Sequence, residues 1–135
     1  YWLIKSEPGE WSWKDQVKDG QAMWDGVRNY QARNNLIKMR LGDLCFFYHS
    51  VSEKSVIGIV EVAKESYPDP TDKTGKFVVV DVKAIKKLKT PVTLQQIKDN
   101  KKLKGIALIK QSRLSVMPLN KNEWNEIIKI SLKNE

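Results

Sequence analysis

The chain has 135 residues, of which 41% are hydrophobic, and a formal net charge of +8 at pH 7. This length is sufficient for one domain with a full core, so we predict that residues 1–135 form a single domain. No apolar run reaches the roughly 20 residues that a membrane-spanning helix needs, so we expect no membrane partner. The single cysteine, Cys45, excludes an internal disulfide and indicates an intracellular location, in the cytoplasm or in the nucleus if the source is eukaryotic.

The positive charge is concentrated in the last part of the chain. Residues 81–135 carry thirteen basic and five acidic side chains, whereas the preceding residues are close to neutral. Such an imbalance is typical of a protein that binds a polyanion, although surface lysines are common on any globular protein. Our candidates for phosphate contacts are Lys86, Lys87, Lys101, Lys102 and Lys104.

The first half of the chain predicts two strands and two helices. Residues 1–5 read as a strand, and Ser12 with Asp15 forms a capping box for a short helix that the next glycine ends. A second helix, capped at its start by an asparagine, is predicted over 29–42. The apolar stretch 44–49 predicts a central strand that is covered on both faces.

The helix that begins after Asn29 has one unusual position. At about 100° per residue, Arg33 falls on the apolar arc with Leu36 and Ile37, while Asn35 falls on the polar arc. A guanidinium held against a core must be paired, because its charge is costly to desolvate alone. Arg33 is therefore either a structural ion pair or a polar anchor on the wall of a ligand pocket.

The second half predicts three more strands and two helices. Strands are expected over 56–62, 77–85 and 113–117, and Gly58 inside the first of them indicates a bulge or a close backbone approach. Capping boxes place helix starts at Thr93–Gln96 and at Asn120–Glu123. The last helix has an apolar stripe that we assign to the core: Trp124, Ile127, Ile128 and Leu132. Strands interrupted by short helices indicate an α+β domain with a curled, barrel-like sheet.

Common catalytic and metal-binding motifs are missing from the sequence. One histidine and one cysteine do not make a zinc site, and no phosphate-binding glycine loop or Gly-x-Ser-x-Gly turn is present. We therefore expect no metal and no cofactor. A serine hydrolase built on His49 stays open as an alternative, since Ser6, Ser50 or Ser115 could approach it in space.

Hydrogen-bonding residues instead collect beside aromatic residues at predicted strand ends and helix starts. Examples are 5–7, 28–30, 48–50 and 112–115. Planar rings with a few oriented donors and acceptors are what a pocket for a flipped-out base needs, and each stacked base contributes about 1–3 kcal/mol.

Six segments in order resemble the EVE domain family of the PUA-like superfamily. They are Tyr-Trp-Leu-Ile-Lys-Ser-Glu-Pro at 1–8, Trp24 with Gly-Val-Arg-Asn-Tyr-Gln-Ala-Arg-Asn at 26–34, Gly-Asp-Leu at 42–44, Phe-Tyr-His-Ser at 47–50, Tyr-Pro-Asp-Pro at 67–70, and Ser-Arg-Leu-Ser-Val at 112–116. The resemblance implies a PUA-like mixed β pseudobarrel flanked by short helices. It also implies a non-catalytic module that binds a modified base in DNA or RNA, with methylated or hydroxymethylated cytosine as the leading ligand.

On this resemblance we assign candidate ligand-binding residues. Glu7 could accept from an exocyclic amine, as carboxylates do with cytosine N4. Trp24 and Tyr48 are candidates for the aromatic walls, and Arg28 and Arg33 could hold a base carbonyl or a phosphate. The full set is Ser6, Glu7, Trp24, Val27, Arg28, Asn29, Tyr30, Arg33, Tyr48, His49, Arg113 and Ser115.

Two other functions are open at this point. Related PUA-like barrels include amidohydrolases, so convergence of Lys5, Glu7 and His49 would indicate a small hydrolase of modified nucleosides. An exposed apolar surface at Trp11 and Trp13 would instead indicate a protein-interaction module. No pattern of an interface is present in the sequence, and we expect a monomer.

Overall fold

The computed structural model describes residues 1–133. These residues form six strands and five α-helices, which confirms the predicted α+β class. In chain order the elements are β1 (Trp2–Ser6), α1 (Trp13–Asp19), β2 (Gln21–Met23), α2 (Tyr30–Lys38), β3 (Leu44–His49), β4 (Ser55–Pro68), β5 (Val78–Thr93), α3 (Leu94–Asp99), a 3₁₀ turn (Lys101–Leu103), α4 (Ala107–Lys110), β6 (Val116–Pro118) and α5 (Lys121–Lys133).

All six strands belong to one sheet, in the order β2-β5-β4-β3-β1-β6. Strand β1 pairs with β3 in parallel, while the other neighbouring strands are antiparallel. Lys5 therefore lies beside Tyr48, and Ser6 lies beside His49. Because parallel strands end at the same edge of a sheet, the two motifs that contain these residues meet at one place.

The sheet curls around α2. From this helix, the side-chain amide of Asn35 donates to the backbone carbonyl of Val116 in β6, at 2.7 Å. Arg33 donates to the carbonyl of Lys76, two residues before β5, at 3.2 Å. Three strands separate β5 from β6, and a flat sheet would hold them roughly 19 Å apart, farther than the roughly 10 Å width of a helix. Contact with both sides of one helix confirms the predicted barrel-like curvature.

Aromatic packing covers β3 on both faces, as predicted. Phe46 stacks on Trp124 of α5 with 3.7 Å between ring centroids. On the opposite face, Phe47 packs edge-on against Trp13 at 5.4 Å and against Trp24 at 5.5 Å. Trp13 is therefore buried in the core rather than exposed for a protein partner, and the structure gives no apolar surface at that residue.

Local predictions based on capping and on glycine are confirmed. The capping box of Ser12 and Asp15 begins α1, and that of Thr93 and Gln96 begins α3. The pairing of β3 with β4 shifts register next to Gly58. A Cβ atom on Gly58 would come within 2.5 Å of the Trp13 ring, so this glycine allows a close approach of backbone and side chain.

Element lengths differ from the predictions in two places. Strands β4 and β5 are longer than the predicted 56–62 and 77–85, because their antiparallel pairing continues through polar positions such as Lys64, which pairs with Asp81. Helix α2 ends at Lys38 instead of Gly42. The Asp43 carboxylate accepts from the backbone N–H of Arg40, and this bond holds a tight turn in place of another helical turn.

The rotation of α2 also differs from the prediction. Its buried residues include Ala32, Asn35 and Leu36, whereas Ile37 is 49% exposed. Asn35 can be buried because its amide is satisfied by a β6 carbonyl. In α5, Leu132 is 55% exposed and is not part of the core stripe, while Trp124 and Ile127 are buried as predicted. No helix in the described part of the chain combines the length and the apolar character needed to cross a membrane.

Candidate functional site

The carboxyl ends of β1 and β3 form one edge of the sheet, which the segment 111–115 joins. The backbone N–H of Lys5 donates to the carbonyl of Ser115 at 2.9 Å. The backbone N–H of Ser50, just after β3, donates to the carbonyl of Ser6 at 2.9 Å. Three segments that are far apart in the sequence are thus connected by backbone hydrogen bonds.

Lys5 connects this edge to the segment through its side chain as well. Its ammonium donates to the carbonyl of Ser112 at 2.8 Å. The side chain is half-buried, and desolvation lowers the pKa of Lys5 below its ordinary value. A positive charge is therefore held at a position where water solvates it incompletely.

A surface cleft of about 310 Å³ opens between the start of α2 and the segment after α4. We call it the strand-end cleft. It is lined by Asn29, Gln31, Lys110, Gln111, Ser112, Arg113 and Leu114. Two of these side chains are cationic, four are neutral and polar, and none is a carboxylate.

Two predicted residues near this edge have unused hydrogen-bonding capacity. Within residues 1–133, no group hydrogen-bonds to the side chain of Glu7, which is exposed, or to the hydroxyl of Tyr48. The Tyr48 side chain is only 3% exposed, and burial raises its pKa to about 12. Tyr48 is therefore a neutral phenol that can donate to a ligand and accept from one.

His49 is held in a structural arrangement. Its Nε2 accepts from the backbone N–H of Trp13 at 3.0 Å, and its Nδ1 lies 3.2 Å from Oε2 of Glu53 without alignment for a hydrogen bond. The Ser6 hydroxyl donates to the carbonyl of Trp11, and the Ser50 hydroxyl donates to the carbonyl of Ser6. No serine hydroxyl in the described residues hydrogen-bonds to His49, so a serine–histidine pair is not formed here.

Arg28 is held by the loop between β4 and β5. Its guanidinium lies 3.0 Å from Oδ2 of Asp69 and donates to the hydroxyl of Thr71 at 3.0 Å. Asp69 also accepts from the backbone N–H of Gly26 at 3.1 Å. Arg28 therefore connects the start of α2 to this loop and is not directed into the strand-end cleft.

The prediction that Arg33 lies on an apolar arc is wrong. Its guanidinium is at the surface and donates to the side chain of Asn34 and to the carbonyl of Lys76. It also lies 4.9 Å from the ring centroid of Tyr30, which stacks on Phe77. The helix rotation that buries Asn35 turns Arg33 outward, so it is neither a buried ion pair nor an inward anchor.

Trp24 and Tyr48 do not face each other as two walls of one pocket. Trp24 packs on Phe47, and successive residues of β3 point to opposite faces of the sheet. Tyr48 therefore lies on the face opposite to Trp24. Trp24 and Val27 are both 7% exposed and belong to the hydrophobic core.

The predicted phosphate-contacting lysines lie away from the strand-end cleft. Lys86 and Lys87 are exposed along β5, and Lys101 and Lys104 are exposed around the 3₁₀ turn. Lys102 lines a separate depression of about 580 Å³ beside α5. The other lining residues are Asn120, Asn122, Glu123, Asn125, Glu126 and Lys129, so the two depressions share none.

The structure therefore brings together only part of the predicted set. Ser6, Tyr48, His49 and Ser115 meet at the strand ends, and Asn29 and Arg113 line the cleft. Sequence reasoning missed Gln31, Lys110 and Gln111. Gln31 lies inside the motif at 26–34, and Lys110 and Gln111 directly precede the Ser-Arg-Leu-Ser motif. In residues 1–133, no three histidine, cysteine or carboxylate side chains converge to hold a metal ion.

An α+β pseudobarrel with polar residues of separate motifs at one edge defines the class of domain, and comparison identifies the family. The family model for the EVE domain matches residues 1–130, so the chain belongs to the EVE domain family. This result confirms the resemblance noted in the sequence.

Three relatives show how closely the chain follows this family. Thymocyte nuclear protein 1 from Gallus gallus is 34% identical over 164 residues, covering 96% of this chain and 68% of the relative. Rpa0253 from Rhodopseudomonas palustris is 50% identical, with a TM-score of 0.93 and coverage of 100% of this chain and 94% of that one. Human THYN1, crystallised in complex with DNA containing 5-methylcytosine, is 33% identical, with a TM-score of 0.88 and coverage of 96% of both chains.

Proposed function

We propose that this protein is a non-catalytic EVE module that binds a modified cytosine in DNA. The observation that carries the proposal is the similarity, over nearly the whole chain, to human THYN1, whose structure contains 5-methylcytosine DNA. The convergence of the family's motifs at the ends of β1 and β3 supports it, because a base-binding site must be assembled from groups that lie close in space.

The recognised base would be extruded from the duplex to reach this edge. Extrusion costs a few kcal/mol, and hydrogen bonds to the edge of the base together with contacts to the phosphates would offset it. We assign Tyr48 and Glu7 to the edge of the base, since neither the hydroxyl nor the carboxylate has a partner among residues 1–133. Glu7 would accept from the exocyclic amine at N4, and Tyr48 would donate to a ring acceptor.

The preference for a methylated base has a physical limit. Burial of one methyl group contributes about 0.8 kcal/mol, which is roughly a fourfold preference. A larger preference requires a pocket that penalises other bases, by unpaired polar groups or by steric exclusion. We therefore expect the protein to discriminate cytosine derivatives from other bases more strongly than 5-methylcytosine from cytosine.

The geometry of His49 weighs against a hydrolase. A general base needs a ring nitrogen that can take a proton from a nucleophile or water. In this structure Nε2 already accepts from Trp13, and Nδ1 faces Glu53. This arrangement supports a binding role over hydrolysis of a modified nucleoside.

We infer further that residues 1–135 form one EVE domain that acts as a monomer inside the cell. The single core, which includes residues from β1 to α5, supports one domain. The free and fully buried Cys45 fits a reducing compartment.

A binding experiment tests the proposed function. Fluorescence anisotropy would compare otherwise identical DNA duplexes with one cytosine, 5-methylcytosine or 5-hydroxymethylcytosine, together with matched RNA. We expect the tightest binding to a modified DNA, and equal affinity for all probes would overturn the proposal.

Substitutions of Tyr48 and Glu7 test the site more cleanly than a substitution of Trp24, because removal of Trp24 would damage the core. Tyr48→Phe and Glu7→Gln should weaken binding to the modified probe while the melting temperature stays close to that of the unmodified protein. Glu10→Gln is the matched control, since Glu10 is an exposed carboxylate in the turn after Glu7. Unchanged binding by both site variants would show that the base binds elsewhere.

A further inference from the structure

We propose that the strand-end cleft holds a backbone phosphate of the strand that carries the recognised base, with Lys110 and Arg113 as its cationic contacts. The inference rests on the proposed function and adds to it a second subsite. The base and the phosphate would be recognised by different groups, the base by residues at the ends of β1 and β3, the phosphate by the segment after α4.

The balance of charge in the cleft favours an anionic ligand. Lys110 and Arg113 are exposed, and no lining residue is a carboxylate. In residues 1–133 the Lys and Arg side chains that lie within 4.0 Å of a carboxylate are Arg28, beside Asp69, and Lys83, beside Glu61, so neither cleft cation has an acidic partner. An anion that enters the cleft would meet two positive groups without displacing a carboxylate.

The larger depression beside α5 provides the contrast. There Lys102 and Lys129 are accompanied by Glu123 and Glu126. A phosphate there would meet two carboxylates as well as two ammonium groups, which reduces the net attraction. The smaller cleft is therefore the better anion site even though the predicted phosphate-contacting Lys102 lies in the larger depression.

Neutral donors and a third cation support the same ligand. The amides of Asn29, Gln31 and Gln111 line the cleft and can donate to phosphate oxygens. Lys5 donates to the carbonyl of Ser112, which itself lines the cleft, and so fixes the segment that carries Arg113. Desolvation lowers the pKa of Lys5, and a nearby phosphate would favour its charged form.

The composition of the cleft also excludes it as the base subsite. None of the seven lining residues is aromatic, and Leu114 is the one apolar member. A base bound there would lose its stacking and gain no ring in exchange, whereas a phosphate needs only charge and donors. The hydrogen bond from Lys5 of β1 to the carbonyl of Ser112 joins this cleft to the strand ends, so one nucleotide strand can reach both subsites.

Salt dependence separates a phosphate contact from a base contact. Binding of the 5-methylcytosine duplex would be measured from low to high salt for the unmodified protein, Lys110→Gln and Arg113→Gln. Each phosphate contact contributes about 0.9 to the slope of log Kd against log salt on duplex DNA. Because both side chains contact one phosphate, we expect the double variant Lys110→Gln/Arg113→Gln to lose roughly that amount of slope and each single variant to lose part of it. Each variant should weaken binding to the modified and the plain duplex by the same factor.

Lys129→Gln is the matched control, because it removes a lysine from the other depression. We expect it to leave the slope close to that of the unmodified protein. If the unmodified protein discriminates the modified base but the two cleft variants keep the full slope, the phosphate subsite is refuted and the proposed function stands. If the unmodified protein does not discriminate, the proposed function itself fails.

Single methylphosphonate substitutions locate the phosphate directly. The uncharged linkage is placed in turn at each position next to the modified base. At the bound position it should weaken binding by the unmodified protein more than binding by Arg113→Gln, because that variant keeps only the Lys110 contact. An equal loss in both proteins at every position would overturn the assignment. Inorganic phosphate serves as a further probe, and if it binds as tightly as the duplex, the cleft is a site for a free anion and not for a strand.

Discussion

The ring of Trp13 packs directly against the backbone of Gly58 and leaves no room for a side chain there. A Cβ atom on Gly58 would stand 2.5 Å from Cη2 of Trp13 and 2.7 Å from two other ring carbons. The same tryptophan donates its backbone N–H to His49. One close contact thus positions α1 on β4 and, through the histidine, on the end of β3.

Gly58→Ala should therefore destabilise the protein. Alanine is normally better than glycine in a strand, but here the added methyl group must displace the ring of Trp13. We expect the free energy of unfolding to fall by about 1–3 kcal/mol, measured by chemical denaturation. Gly105→Ala is the control, because a Cβ atom at Gly105 meets no atom within 4 Å. Equal stability of the two variants would contradict the close contact.

The hydrogen bond from Trp13 predicts the tautomer of His49. Because Nε2 accepts, the proton of the neutral ring must lie on Nδ1, on the side of Glu53. The chain contains one histidine, so ¹⁵N chemical shifts of the imidazole report on it without assignment. We expect the Nδ1–H form in the folded protein, and a dominant Nε2–H form would contradict the geometry.

Asp69 should contribute stability that depends on pH. Burial alone would raise its pKa, but hydrogen bonds from Thr71, Arg28 and Gly26 outweigh burial and lower the pKa overall. A lowered folded-state pKa stabilises the protein above the ordinary carboxyl value, and this contribution is lost as the pH falls through the folded-state pKa. Asp69→Asn should cost about 2 kcal/mol at neutral pH.

The difference between Asp69→Asn and the unmodified protein should shrink as the pH falls below about 4. Urea denaturation at several pH values measures it. Asp25→Asn is the control, since Asp25 is exposed. A difference that stays constant down to pH 2 would show that the carboxylate charge is not what stabilises the loop.

Cys45 should be chemically inert while the protein is folded. Burial, with a smaller contribution from Asp43, raises the pKa of its thiol far above the ordinary value, and the side chain is 0% exposed. Only the thiolate reacts with disulfide reagents. We therefore expect labelling with such a reagent at pH 8 to follow the rate of unfolding, and prompt labelling of the folded protein would contradict this burial.

Local signals in the sequence predicted local structure well. The capping boxes at Ser12 and Thr93 each depend on a few neighbouring residues, and both are confirmed. The glycine in a β-branched run marked the close approach at Gly58, although its partner Trp13 is distant in the sequence. The rotation of α2 was not predictable in the same way. It depends on whether Asn35 finds a partner, and that partner is a carbonyl of β6 near the other end of the chain.

The sequence motifs predicted which segments form the candidate site, but they predicted only some of the individual residues. The motifs at 5–7, 48–50 and 112–115 do meet, because β1 and β3 are parallel neighbours. The role of Arg28 as a partner of Asp69 was not readable, since an arginine beside a pocket and an arginine bound to a loop have the same sequence pattern. The absence of carboxylates around Lys110 and Arg113 is a property of three-dimensional neighbours alone.

The position of β1 in the sheet has a consequence for synthesis on the ribosome. Ile4 is flanked by Phe47 on one side and by Val116 on the other, so β1 is synthesised well before β6, the strand that completes its pairing. Until β6 emerges, β1 keeps an open row of backbone donors and acceptors that can recruit a foreign strand. A nascent chain stalled between these two strands would be prone to aggregate, and the emergence of β6, directly after the segment that carries Arg113, removes this exposed strand edge.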